Sequence, residues 1–277
     1  MRTTARAKVT LALDVPKRRD DGWHCVDIVL QRIAWGDAVR IEEAAEPCLA
    51  VEGMGMTASP DNLAWRALGA VARVVGEWPS VRMTIHKRVP VGAGLGGGSA
   101  DAASVLRWAA DHYPRHRAAI YDLAASLGKD IPFLLDGEAA RATGLGDRLG
   151  ELPPLAQGAL VVAYPGFPVS TPAVYAAYDA VGPSGPPRAA EVVDALRRHV
   201  IPSQVGNQLE EAARRVEPRL AAFRHQLEDL GARPAWTTMS GSGSAHVVLC
   251  GDSPEARRLA RRLRSHGVPW VRVFSLS

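Results

Sequence analysis

The sequence predicts an α+β protein of two domains. In both halves of the chain, segments with the two-residue alternation of strands are interleaved with segments of helical spacing. The length, 277 residues, is long for one core and suits one large or two modest domains. A proline-bearing stretch, Glu151–Gly158 with Pro153 and Pro154, reads as a boundary. The expected domains are therefore residues 1–150 and 151–277.

In the first half, Val9, Leu11, Leu13 and Val15 alternate with Lys8, Thr10, Ala12 and Asp14. Such a strand has an apolar face and a second face on which Lys8 and Thr10 stand together. A loop with Gly22 follows, then strands over Val26–Ile33, Val39–Glu42 and Leu49–Glu52. Leu63, Leu68, Val71 and Val75 recur near helical spacing and predict a helix over Asp61–Gly76 that starts near Asp61. Val81, Met83 and Ile85 alternate as another strand. After a glycine-rich run, Val91–Gly98, the residues Ala102, Ala103, Leu106 and Ala110 form one stripe of a helix over Ser99–Asp111. A further helix covers Ala118–Leu127.

The second half opens on an apolar strand, Ala159–Tyr164. Thr171 and Pro172 suit a helix start, a capping oxygen followed by proline at the first helical position. Val181–Arg188, rich in proline and glycine, reads as a loop. Helices fill Ala189–His199 and most of Asn207–Leu230. Two strands flank the glycine-serine turn Ser240–Ser244, and a helix over Ser253–His266 precedes a last strand, Trp270–Ser275.

Hydrophobic residues make up 47% and charged residues 22%, an ordinary globular balance that excludes wholesale disorder. The net charge of +4 is compatible with anionic substrates such as nucleotides and too small to argue for nucleic acid. Arg257, Arg258, Arg261, Arg262 and Arg264 lie on one predicted helix, but Ala256, Leu259, Ala260 and Leu263 form its buried stripe. The arginines are its solvated face. Cys25, Cys48 and Cys250 form no metal or redox motif, and the histidines show no metal spacing. No apolar leader or membrane-length stretch is present, so a cytoplasmic protein without a membrane partner is expected, as monomer or homodimer.

The strongest chemical signal is the run Pro90, Val91, Gly92, Ala93, Gly94, Leu95, Gly96, Gly97, Gly98, Ser99 and Ala100. Its glycines let the backbone adopt positive φ and approach a ligand closely. The helix that follows turns unpaired N–H groups and the positive end of its dipole toward the same spot. Amides converging beside a helix N-terminus make a phosphate site. Ser99 adds a hydroxyl that caps the helix, binds phosphate or meets Mg²⁺. No Gly-Lys-Ser/Thr follows, so the run is not a Walker A loop, and no flanking βαβ unit supports a dinucleotide fold.

Three further segments accompany this loop: Ala7–Leu11, Gly128-Lys129-Asp130-Ile131-Pro132-Phe133, and Met239-Ser240-Gly241-Ser242-Gly243-Ser244. Their order resembles the GHMP kinases over essentially the whole chain. Arg18-Arg19-Asp20-Asp21-Gly22-Trp23-His24, Asn62-Leu63 and Gly144-Leu145-Gly146-Asp147 resemble the branch whose acceptor is 4-diphosphocytidyl-2-C-methyl-D-erythritol, in the non-mevalonate isoprenoid pathway.

This resemblance implies a two-domain fold, with the active site in the cleft between an ATP-binding N-terminal domain and a C-terminal domain. It implies ATP as co-substrate, Mg²⁺, and phosphorylation of the acceptor's tertiary 2-hydroxyl. Lys8 matches the strand lysine that faces the acceptor and Asp130 the general base. A sugar-type hydroxyl is a poor nucleophile, so a carboxylate accepts its proton while an ammonium stabilises the developing alkoxide. In isolation Lys8 reads better as a solvated strand lysine and Asp130 better as a helix-terminal or turn residue; it is together, in the family's order, that they read as catalytic. Pro90–Ala100 match the ATP loop. Asn62 matches a nucleotide-site residue and reads equally as a helix cap. Trp23, His24 and Tyr175 match a cytosine clamp, and Thr10, Thr171, Gly241 and Ser242 the acceptor pocket. Thr10 departs from the family's asparagine and offers a hydroxyl in place of an amide. Two alternatives remain: a GHMP kinase for homoserine or a mevalonate-type acid, and a catalytically weak ligand-binding relative.

Overall fold

A computed structural model describes residues 1–276. In chain order the strands and helices are β1 (Arg2–Arg18), β2 (His24–Glu43), β3 (Cys48–Glu52), α1 (Leu63–Val75), β4 (Val81–His86), α2 (Gly97–His112), α3 (Arg117–Leu127), α4 (Ile131–Asp136), β5 (Ala139–Gly144) and β6 (Arg148–Glu151). There follow β7 (Ala159–Tyr164), α5 (Thr171–Val181), α6 (Ala189–Arg197), β8 (Gly206–Asn207), α7 (Glu210–Val216), α8 (Arg219–Asp229), β9 (Thr237–Met239), β10 (His246–Cys250), α9 (Ser253–Ser265) and β11 (Trp270–Ser275). Among the described residues no helix is long and apolar enough to cross a membrane.

The chain forms two compact units, and neither is continuous in sequence. One comprises Met1–Lys8, Arg32–Pro90 and Gly96–Gly137; the other comprises Val9–Gln31, Val91–Leu95 and the chain from Glu138 onward.

In the first unit the strand order is β3-β4-β2-β1. β2 runs antiparallel to β4, from Ala38 opposite His86 to Glu43 opposite Val81, and β3 runs parallel to β4. The two strands expected around residues 26–42 are one, because Gly36 does not interrupt it. A Cβ there would stand 1.9 Å from the Ala5 carbonyl oxygen, so glycine is what lets the neighbouring backbone approach. Ile41 of β2, Met83 and Ile85 of β4, and Leu68, Leu106, Ile120 and Phe133 of α1–α4 are fully buried. α1 begins one residue after Asn62, whose side chain accepts from the N–H groups of Ala64 and Trp65, and Gly76 ends it in the left-handed conformation.

In the second unit β6-β5-β2-β1-β8 form one run of strands and β11-β7-β10-β9 form a separate sheet. Val161, Phe223, Leu227, Leu259 and Leu263 share a core over the latter, and α9 buries the expected stripe while its arginines face solvent. Leu13, Val15, Val174, Tyr178, Leu209 and Met239 form a second core. The helical stretch expected over most of residues 207–230 consists of α7 and α8, divided at Glu217 and Pro218, where a proline cannot continue the first helix. Ser170, rather than Thr171, caps α5 through the N–H of Ala173.

The strand expected over residues 8–15 has no wet face. From Ala7 to Val15 every residue is buried. Its polar residues therefore require partners inside the protein. Asp14 finds them in the N–H groups of Arg188 and Ala189, at 2.9 and 2.8 Å.

Candidate active site

In the first unit, Lys8 leaves β1 only 5% exposed, which overturns its reading as a solvated strand lysine. Its Nζ lies 3.5 Å from Oδ2 of Asp130. Asp130 sits immediately before α4, with Pro132 in the first turn and the Leu134 N–H bonded to its carbonyl. Its side chain is about a third exposed, as a group that must meet a substrate requires. The family-matched pair is thus a real contact.

The glycine run meets the same lysine. α2 begins at Gly97, two residues earlier than expected, and Gly96 precedes it at φ +70° with no side chain capping the helix. Ser99 is therefore not the cap. A Cβ on Gly96 would stand 3.2 Å from Cγ of Lys8, so this glycine is packed against the lysine stem. The first amide bonded within the helix is that of Ala100, to Gly96 O at 2.9 Å. The amides of Gly97, Gly98 and Ser99 precede it, as helix-start donors do. Asn62 is half-buried, and Leu63 beside it approaches Gly98.

Beneath this start lies an ionic cluster that no sequence period announces. Lys87, 7% exposed, contacts carboxylate oxygens of both Asp37 and Asp101, the latter at 2.8 Å; both acids are almost wholly buried. Asp37 also accepts from the N–H groups of Arg88 and Val89, and a Cβ on Gly97 would stand 3.4 Å from it. Burial pushes the Asp101 carboxyl up to about 7, against the pull of the Lys87 ammonium and with the Asp37 charge adding to the rise. Two buried acids share one base.

In the second unit, the stretch Val91–Leu95 is bonded to the Ser240–Ser244 turn. Ser240 Oγ donates to Gly94 O at 3.0 Å, and the Ala245 N–H donates to Ala93 O at 3.1 Å. Gly94 is at φ +76°, and a Cβ on it would stand 1.9 Å from Ser240 O. Thr10 joins the same turn. Its N–H donates to Ser240 Oγ and its own hydroxyl accepts from the Gly241 N–H, both at 3.1 Å. Thr10 is fully buried. Asn207 braces the turn through Nδ2, which donates to the carbonyls of Met239 and Gly241. Thr171 and Ser242 share a 2.5 Å hydrogen bond.

The expected clamp residues also lie in this unit. Trp23 is 63% exposed, on a turn where Asp21 accepts its N–H. His24 stacks against Tyr175 with ring centroids 5.1 Å apart and meets the edge of Tyr178 at 5.8 Å. Its Nε2 is 2.6 Å from Asp179 Oδ1. Sequence reading missed Asp179, Asn207 and the Lys87 cluster. Only Asp179 left a trace, four residues after Tyr175 and so on the same helical face.

Residues 62–138 match the GHMP kinases N terminal domain and residues 202–269 the GHMP kinases C terminal domain. The 4-diphosphocytidyl-2-C-methyl-D-erythritol kinase of Thermus thermophilus is 39% identical over 275 residues, covering 98% of this chain and 95% of that protein. The chain belongs to this branch of the GHMP kinases. The Moorella thermoacetica kinase of the same name is 36% identical, covering 94% of this chain and 93% of the other. A crystal structure of 4-(cytidine 5'-diphospho)-2C-methyl-D-erythritol kinase superposes with a TM-score of 0.82 at 38% identity, covering 99% of both chains. The fold alone is shared with Leishmania major mevalonate kinase, at a TM-score of 0.69 and 15% identity. The α+β architecture with two GHMP domains is as the motifs led one to expect.

Proposed function

We propose that the chain transfers the γ-phosphoryl group of ATP to the tertiary 2-hydroxyl of 4-diphosphocytidyl-2-C-methyl-D-erythritol. ATP use follows from the kinase family, and the acceptor follows from the relatives' name. The observation that carries the reading is the Lys8–Asp130 contact at 3.5 Å, with Gly96 packed on the lysine stem. In this reading Asp130 accepts the hydroxyl proton as the oxygen attacks. Lys8 stabilises the charge that develops on that oxygen, and the amides after Gly96 hold the nucleotide phosphates. Phosphoryl transfer demands mainly positioning and electrostatic stabilisation, and these groups supply both.

Trp23 and Tyr175 offer π faces to the pyrimidine and His24 offers its ring nitrogens to the polar edge. Thr171, Gly241 and Ser242 line the acceptor pocket. The buried hydroxyl of Thr10 supports that pocket through Gly241 rather than by touching the acceptor. Among the described residues no cluster of acidic, histidine or cysteine side chains forms a dedicated metal cage. The lone Ser99 hydroxyl suits a Mg²⁺ that arrives on the nucleotide, because Mg²⁺ keeps waters and takes few protein ligands. When bound, the ion neutralises phosphate charge. We place residues 1–150 as the ATP-binding domain, residues 151–277 as the C-terminal domain, and the enzyme in a reducing cytoplasm. The three free cysteines support the last point.

Rapid-quench kinetics on Asp130→Asn test the base. The amide keeps the size and cannot accept the proton, so phosphoryl transfer falls by about 10²–10⁴-fold while both ligands still bind. Lys8→Met loses transfer in the same way with ATP affinity nearly kept. Near-normal transfer in folded Asp130→Asn removes the assignment.

A further inference from the structure

The chain leaves the first unit after Pro90 and returns to it at Gly96, so the glycine run has both its ends in that unit. The Lys87 cluster stands at both ends. Asp37 Oδ1 accepts from the N–H groups of Arg88 and Val89, the latter at 2.8 Å, and these are the last residues before Pro90. Asp37 Oδ2 accepts from Lys87 Nζ, and the same ammonium donates to Asp101 Oδ2 at 2.8 Å. Asp101 lies four residues after Gly97, on the same face of α2. Gly97 is itself seated on the cluster, since a Cβ on it would stand 3.1 Å from Val89 and 3.4 Å from Asp37 Oδ2. The segment that enters the run is thus tied, through one ammonium, to the helix that leaves it.

Glycine-rich backbone has more conformational freedom than any other, so the run does not hold its own span. Charge-assisted hydrogen bonds made out of water do hold it, and undoing one leaves a buried charge unpaired. The two acids are not equivalent. Asp37 uses both oxygens, one for two backbone amides and one for Lys87. An asparagine has a single acceptor oxygen, so at this position its NH₂ meets either those amides or the ammonium, donor against donor. Asp101 gives Lys87 only Oδ2, and its Oδ1 is buried without a hydrogen bond among the described residues. There an asparagine keeps the one acceptor that is used.

We infer that Asp37, Lys87 and Asp101 are positioning residues for the nucleotide: by fixing the two ends of the glycine run, they hold the amides of Gly97, Gly98 and Ser99 where the phosphates of ATP meet them. This rests on the proposed reading of those amides as the phosphate site. Both acids are almost wholly buried and act through the backbone. The cluster therefore governs affinity for ATP and leaves affinity for the acceptor alone.

The test measures the Kd of ATP with Mg²⁺ by titration calorimetry and the KM of the cytidine acceptor at saturating ATP. The proteins are wild type, Asp37→Asn, Asp101→Asn and the double variant Lys87→Met/Asp101→Leu. In the double variant apolar side chains replace the ammonium and one acid, an exchange that buried ion pairs often tolerate without loss of stability. It keeps the falsifying arm open should Asp37→Asn not fold. Asp37→Asn and the double variant are expected to bind ATP at least ~10-fold more weakly, since small misplacements of a positioning group cost up to about 100-fold. Asp101→Asn stays within about 3-fold of wild type, because the used acceptor is retained. The acceptor KM stays within about 3-fold throughout, as expected when only one ligand's positioning is lost. Ile120→Val, buried in α3 away from the run, serves as a control that costs about 0.5–1.5 kcal/mol of stability and leaves the Kd of ATP unchanged. Wild-type ATP affinity in folded Asp37→Asn or in the double variant overturns the inference and leaves the kinase reading standing. So does a weakening in Asp101→Asn equal to that in Asp37→Asn, an equal loss for acceptor and ATP, or an equal loss of ATP affinity in Ile120→Val. A wild type that binds no ATP removes the reading of the amides and the inference with it.

Discussion

Lys8, Thr10 and Asp14 stand on one face of β1, and each is buried, so each depends on partners inside the protein. Lys8 has Asp130, Thr10 has the Gly241 N–H and Asp14 has two backbone amides. A buried donor left without an acceptor costs about 1–3 kcal/mol. Thr10→Val keeps the shape and removes the oxygen from Gly241, so we expect a stability loss of about that size in urea denaturation. An unchanged midpoint would show that the Thr10 hydroxyl does not hold the turn. The alternation of β1 was legible in the sequence and placed Lys8 and Thr10 on one face. That this face is covered was not, since period two reports which residues share a side and not what lies over it. For the same reason the sequence sets Thr10 beside Lys8 without showing the hydrogen bond it accepts from the Gly241 N–H.

At the scale of elements, the glycine run, its helix and the Ser240–Ser244 turn were legible because glycine spacing and helix starts are local signals. Several other elements were not. β5 and β6 carry Ala-Ala-Arg-Ala-Thr-Gly and Arg-Leu-Gly-Glu, with little strand propensity, and owe their form to pairing with β2 and with each other. The Lys87 cluster joins β2, the segment after β4 and α2, and such a meeting of three elements leaves no period in the chain. It nevertheless has a measurable signature. An aspartate in an unfolded chain titrates near 4, whereas burial holds Asp101 up to about 7. Between those values the folded protein keeps a proton that the unfolded chain has released. Stability therefore falls as pH rises across that window and levels off above it. Asp14 and Glu210, also raised mainly by burial, add to the same slope. Asp101→Asn removes its own share, so its urea midpoint should fall less between pH 5 and pH 8 than that of wild type. Equal falls in the two proteins would mean that Asp101 does not keep a proton in this cluster.

For the whole molecule, the family and the order of its motifs were legible across the chain, whereas the compact units were not. Each unit is assembled from separated segments, and β1 leaves one for the other between Lys8 and Val9. The clamp shows the same limit. Trp23, His24 and Tyr175 could be named from their motifs, but Asp179 meets His24 across 155 residues of chain. In the proposed function the non-reacting cytidine end supplies binding energy that orients a distant hydroxyl. A small aliphatic acid leaves the aromatic rings and the imidazole without partners, and such sites reject ligands that cannot pair them. The most direct measurement is ADP release by the purified chain with ATP and Mg²⁺, using three acceptors in turn: 4-diphosphocytidyl-2-C-methyl-D-erythritol, homoserine and mevalonate. Steady release with the first and background release with the other two is the predicted result; release with homoserine or mevalonate at a rate equal to or above that of the cytidine compound would contradict it.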